Sequence, residues 1–217
     1  FGEYMDALAH RPLGINVAPL MPLTPLRHYV LGEASFDRAA SPEETGTLGR
    51  LYGEALDAGA FGLSTTILAN HVGDQGRPLA CRLASPDELR GLCGEMRRRG
   101  KGVIEAAITS LPDRVTDEEY ATLELLVNES RRPVTYLAVF ARPGRPPGAH
   151  EEVVQRMAPL LGRDRAVPQV SCRPLRVQFT LKNPFIFATM ATWGQAFNRS
   201  EAEQRALYAS AAFRSQW

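Results

Sequence analysis

One grammar recurs along the chain and limits what it can fold into: a helix N-cap, an apolar helical stripe, a short break, then an apolar run. Ser41-Pro-Glu-Glu44, Ser85-Pro-Asp-Glu88 and Thr116-Asp-Glu-Glu119 each set a hydroxyl three residues before a glutamate. In that spacing each side chain reaches the other's backbone N–H at a helix start, and proline suits the first helical position. Helical spacing follows each box: Leu48, Leu51, Tyr52, Ala55 and Leu56; then Leu89, Leu92, Cys93 and Met96; then Tyr120, Leu123, Leu126 and Val127. Gly59 and Gly100 supply stops. The runs Ala60–Ser64, Gly102–Ala107 and Pro133–Val139 read as strands. A fourth helix, with Val153, Val154, Met157, Leu160 and Leu161, leads into Val167–Ser171, and Gly14–Leu20, between Pro12 and Pro22, supplies the first strand.

Strand, capped helix, strand predicts parallel pairing, because parallel neighbours need a crossover of a dozen or more residues. The fold class is α/β, either a doubly wound open sheet or part of a (β/α)8 barrel. Units of roughly 40 residues mean that eight would exceed 217 residues, although a compact barrel is ~250 residues long. The barrel reading therefore expects an internal fragment: residues 1–172 as consecutive βα units of an incomplete barrel, and residues 173–217 as an irregular strand and turn plus a C-terminal helix of the same domain. In that tail Arg173–Leu181 is strand-like, Asn183-Pro-Phe185 a turn, and Ser200–Phe213 a helix capped by Ser200 and Glu203. Arg142–Gly148 is a Pro/Gly loop.

Composition excludes some partners. With 44% hydrophobic and 23% charged residues the chain can bury a core, and 25 basic against 24 acidic residues leave +1, so nothing favours nucleic acid or an anionic membrane. No apolar run approaches a membrane span, and no secretory leader is visible. Three cysteines, Cys81, Cys93 and Cys172, without CxxC spacing suit a reducing, cytoplasmic compartment. Oligomeric state is not legible.

In both architectures ligands bind beyond the carboxyl ends of the strands. The segments after the first two strands, Met21–Ala40 and Thr65–Ala84, read as long loops on that side. The first offers Thr24, Arg27 and His28; Arg27 has the geometry to clamp a substrate carboxylate, or else braces its loop. The second offers Ser64, Thr65, Thr66, Asn70, His71, Asp74, Arg77 and Arg82. His71 suits proton transfer. Ser64 lies in Gly-Leu-Ser-Thr-Thr and lacks the Gly-x-Ser-x-Gly elbow of serine hydrolases. Glu105 is a lone carboxylate among Val103, Ile104, Ala106 and Ala107: facing a barrel interior it suits an acid, base or metal ligand, and on the other face it is a packing or edge residue. No glycine-rich phosphate loop is present. The candidates are thus His71 and Glu105 for catalysis, and Thr24, Arg27, Ser64, Thr65 and Arg77 for substrate binding.

Several of these stretches carry a family likeness. Leu13-Gly-Ile-Asn-Val-Ala18, Pro25-Leu-Arg27, Gly59-Ala-Phe-Gly-Leu-Ser-Thr65, Asn70-His-Val-Gly-Asp-Gln-Gly-Arg-Pro78, Pro168-Gln-Val170 and Asn183-Pro-Phe185 resemble the middle of amidohydrolase-superfamily proteins of the D-aminoacylase, or N-acyl-D-amino-acid deacylase, type. The resemblance runs through nearly the whole chain. It implies a metal-dependent (β/α)8 TIM-type barrel and hydrolysis of non-peptide C–N amide bonds in small N-acyl amino acids by water activated on a divalent ion, usually zinc. The chain also departs from the pattern. Leu23, in Met21-Pro-Leu23, stands where many relatives have histidine, and neither Glu105-Ala-Ala107 nor Leu137-Ala-Val139 holds the histidines typical of two middle strands. No metal ligand is carried over, and most ligands are expected outside this chain. Two alternatives stay open: a catalytically silent relative that binds a small ligand, and a complete doubly wound α/β binding domain.

Overall fold

The computed structural model describes residues 1–73, 76–110, 114–139, 146–161, 165–174, 176–187 and 190–216. Chain order is α1 (Gly2–Ala9), β1 (Leu20–Pro22), α2 (Leu23–Leu31), a 3-10 turn at Gly32–Phe36, α3 (Pro42–Asp57), β2 (Gly62–Thr66), a second at Ala80–Leu83, α4 (Pro86–Arg99), β3 (Val103–Ala107), α5 (Asp117–Ser130), β4 (Val134–Leu137), α6 (Ala149–Leu161) and β5 (Ala166–Pro168). The strands form one parallel sheet in sequence order, β1-β2-β3-β4-β5.

That order decides between the two architectures. Right-handed crossovers between sequential neighbours put every helix on one face, and α3 packs on α4 as α4 packs on α5. A doubly wound sheet reverses its strand order partway and carries helices on both faces. This sheet does neither, so it is an arc of (β/α)8-barrel type, and the doubly wound alternative is overturned. Leu63, Ile104, Ala106, Val134, Tyr136 and Ala166 point to the helices and are buried. Pro22, Ser64, Glu105, Thr135 and Val167 pair in one row across the sheet. Strand alternation places that row on the opposite face, which is partly open to solvent and mostly polar.

The capping boxes form as their spacing predicts. Ser41 with Glu44, Ser85 with Glu88 and Thr116 with Glu119 each make both reciprocal bonds at the starts of α3, α4 and α5. Gly100 closes α4 in the left-handed conformation.

Three expectations need correction. The first strand is Leu20–Pro22 rather than Gly14–Leu20, and Ile15 and Val17 lie exposed; apolar composition there does not find a pairing partner. The loop expected from Met21 begins instead with α2. Leu23, Leu26, Arg27 and Leu31 are buried along one helical stripe, and Pro25 falls in the first turn, where its missing N–H costs no helical bond. In the tail, the described part of Arg173–Leu181 forms no strand, and the helix expected over Ser200–Phe213 breaks into α7 (Glu201–Ala209) and α8 (Ala211–Arg214). Ser210 ends one helix and caps the next by accepting from the Phe213 N–H. Trp193, Ala196 and Phe213 build a small core of their own, apart from the sheet-and-helix core. Residues 142–145 of the Pro/Gly loop, and Asp74, lie outside the described residues.

Candidate active site

A cavity of about 260 Å3 opens at the carboxyl ends of β1 to β4, lined by Thr24, Ser64, Thr65, Thr66, His71, Cys81 and Glu105 among others. It brings together five of the seven candidates, although they come from four separate segments. Ser64 and Glu105 are direct neighbours on β2 and β3. Thr24 sits in the first turn of α2 and accepts from the Cys81 N–H at 3.3 Å. The register places Glu105 on the face away from the helices, resolving the two readings of that residue. A larger groove, about 860 Å3, runs between α4 and α5 past Arg82, Arg90, Glu118 and Glu129. It holds none of the seven.

His71 follows a tight turn in which its N–H donates to the Leu68 carbonyl at 3.0 Å. Its Nδ1 lies 2.9 Å from the Thr66 hydroxyl. That hydroxyl has one proton, within reach of both Nδ1 and the Ala107 carbonyl at 3.3 Å, and its oxygen accepts from the Leu68 N–H at 3.1 Å. Either ring tautomer is served: Nδ1 accepts the hydroxyl proton, or donates to the oxygen when that proton turns to Ala107. Burial, and secondarily the positive charge of Arg82, hold the His71 pKa below the ordinary value of 6.5, so the ring is neutral at pH 7 and able to accept a proton.

Linkage follows with a definite sign. The unfolded chain binds more protons than the folded one between His71's folded midpoint and 6.5. The contribution of His71 to stability is complete above 6.5 and is lost as pH falls through the folded midpoint. An NMR titration of the imidazole is expected to give a midpoint below 6.5; a higher one refutes this environment.

Glu105 is half-buried, and its Oε1 accepts from Gln169 Nε2 at 3.4 Å. The same amide nitrogen donates to Thr135 Oγ1 at 3.2 Å. Gln169 thus ties β3 to β4 from just past the end of β5. Sequence reasoning missed it, as it missed Cys81, and took Thr66 only as one of the polar residues of the second loop. A polar residue directly after a strand's carboxyl end was the available signal for Gln169.

Two candidates stand apart. Arg27 is not a substrate clamp: it is fully buried and pairs with the equally buried Glu88, Nε to Oε2, at 2.8 Å. Nη1 donates to the carbonyls of Ser35 at 3.0 Å and of Ala80, and Nη2 to those of Arg38 at 2.9 Å and Leu83 at 3.5 Å. A guanidinium has five N–H donors, and all are engaged. Arg77 holds Glu33 at 3.1 Å and Asp37 at 3.3 Å, and its guanidinium stacks 4.8 Å above Phe36. It fastens the loop after β2 to the 3-10 turn, outside the cavity lining.

The donors here do not fit the divalent ion that the resemblance implies. Among the described residues no three His, Cys, Asp or Glu side chains form a ligand set. The Cys81 thiol donates to the Thr66 carbonyl at 3.4 Å, whereas a metal takes the thiolate.

No protein-family model matches the chain. Over 115 residues, 53% of its length, it is 32% identical to an N-acyl-D-aspartate deacylase of Alcaligenes xylosoxydans xylosoxydans, of which it spans 21%. Its backbone is similar to the crystal structure of D-aminoacylase, described as defining a novel subset of amidohydrolases, with TM-score 0.57, 21% identity, and coverage of 76% of this chain and 32% of that one. It is also similar to an N-acyl-D-glutamate deacylase from Bordetella bronchiseptica solved with zinc and a phosphonate inhibitor, with TM-score 0.58, 18% identity, and coverage of 80% and 34%. The chain therefore spans about a third of these structures and about a fifth of the curated relative. In sequence and in backbone, it is similar to amidohydrolases of the D-aminoacylase type.

Proposed function

We propose that this chain forms one wall of the active-site cavity of a hydrolase that cleaves non-peptide C–N amide bonds of N-acyl amino acids or related small amides. The observation that carries the reading is the convergence of Thr24, Ser64, Thr65, His71 and Glu105 in one cavity at the strand ends. The deacylase relatives supply the reaction class. In this reading the hydroxyls of Thr24, Ser64 and Thr65 orient the amide and the amino-acid carboxylate, and the neutral His71 ring accepts a proton. Relatives of this fold use metal: D-aminoacylase has a binuclear centre and the N-acyl-D-glutamate deacylase was solved with zinc. The described residues do not by themselves form such a site. The three cysteines are free, which supports a reducing, cytoplasmic setting, and no described helix is long and apolar enough to cross a membrane.

The test is metal content and turnover of N-acetyl-D-amino acids by the full-length protein. Turnover is expected, with a fall of about 100-fold or more in His71→Gln, the scale of a lost general base. No turnover with any acyl amino acid sinks the hydrolase reading. Leu23, standing where the resemblance leads to histidine, favours one second reading, a catalytically silent relative that binds a small ligand through the same loops. It predicts ligand binding without metal and without turnover.

A further inference from the structure

Accepting that reading of the cavity, we propose that Glu105 sets its charge preference: it favours amino-acid side chains that are cationic or neutral and rejects those bearing a second carboxylate. Among the described residues the cavity is lined by Pro22, Leu23, Leu79, Ala107, Leu137, three threonines, Ser64, Cys81, His71 and Glu105. Glu105 is the only formal charge in that set, since His71 is neutral at pH 7. The nearby cations among the described residues are committed elsewhere. Arg27 is buried against Glu88, and Arg77 is held by Glu33 and Asp37. Arg82 donates to the His71 carbonyl at 3.3 Å and lines the outer groove.

Among the described residues Glu105 therefore has no counter-ion. Its row neighbours are Ser64 and Thr135, and its one hydrogen bond is to the neutral amide of Gln169. A half-buried carboxylate aimed into a cavity without a partner cation attracts an ammonium or guanidinium group. It repels a carboxylate through the same Coulomb interaction, worth on the order of tenfold in affinity at contact distances in a partly solvated site. Gln169 is the positioning residue: bridging Glu105 and Thr135, it keeps the carboxylate over the cavity rather than out along β3. The contrast with the relatives is direct, because an N-acyl-D-aspartate deacylase and an N-acyl-D-glutamate deacylase are named for side chains that carry the second carboxylate.

The experiment is calorimetric binding of N-acetyl-D-lysine, N-acetyl-D-leucine and N-acetyl-D-aspartate to the full-length protein and to Glu105→Gln. The wild type is expected to bind the lysine and leucine derivatives about tenfold or more tightly than the aspartate derivative. In Glu105→Gln the lysine derivative weakens about tenfold, the aspartate derivative strengthens about tenfold, and the leucine derivative stays within about twofold. The order in the wild type is a test in itself should the variant fail to fold. Preference for the aspartate derivative, or a variant that shifts all three equally, overturns the proposal and leaves the acyl-amino-acid reading standing. Binding of none of the three overturns both.

Discussion

Replacing Arg27 with methionine is expected to destabilise the full-length protein by about 3–5 kcal/mol, the cost of breaking a buried ion pair. The guanidinium joins four carbonyls and one carboxylate contributed by the segments at Ser35, Arg38, Ala80, Leu83 and Glu88. Methionine fills much of the volume but supplies no donor. It leaves Glu88 as a buried carboxylate held only by the N–H groups of Ala40 and Ser85, at 2.8 and 3.0 Å. Buried acceptors without partners carry their full desolvation penalty. A loss of this size takes a large share of a typical ~5–15 kcal/mol, so it is readable in urea denaturation. In a double-mutant cycle, Arg27→Met with Glu88→Gln should cost clearly less than the sum of the single changes, because each single change strands the other partner. An Arg27→Met variant as stable as the wild type, but with weakened substrate binding, would restore Arg27 to the site and refute the bracing role.

Gly62→Ala is expected to be comparably severe for a different reason. A Cβ built at Gly62 falls 1.7 Å from the Val103 carbonyl oxygen and 2.7 Å from the Val103 nitrogen. Gly62 and Val103 are register partners at the foot of β2 and β3, and the obstructing atoms are backbone, so no side-chain rotation relieves the clash. The strands must separate at the row that leads up to Ser64 and Glu105. Overpacking of side chains costs ~1–3 kcal/mol, and a backbone collision belongs at or above that range. Gly46→Ala is the matched control: it lies in α3 with open space around the new methyl, and gains up to ~1 kcal/mol from helix propensity. The two variants should move the denaturation midpoint in opposite directions. Equal tolerance of alanine at both positions would refute the close approach of β2 and β3.

How legible these features were follows from the range of the forces behind them. The caps at Ser41, Ser85, Thr116 and Ser200 were readable because a capping box closes within three residues. The parallel sheet was readable because each strand is followed by a helix long enough to return the chain to the same edge. Helix α2 was not, because Pro25 reads as loop punctuation until its place in the first turn is known. Arg27 was misread for the same kind of reason. Its sequence context, Pro-Leu-Arg-His, is silent about Ala80 and Glu88, which lie 53 and 61 residues away.

The sequence by itself determined the alternation of strands and capped helices and the strand-end loops as the place for chemistry, because both rest on local spacing, and its short contiguous motifs carried the resemblance to amidohydrolases. Only the tertiary structure decided the rest. The monotonic strand order put the crossover helices α3 to α6 on one face, so Glu105 and Ser64 look into the other. The same packing buried Arg27 against Glu88, tied Arg77 to Glu33 and Asp37, and left a cavity in which Glu105 is the lone charge among the described residues. Periodicity tells which residues share a face, but which face a ligand sees depends on what packs against the other.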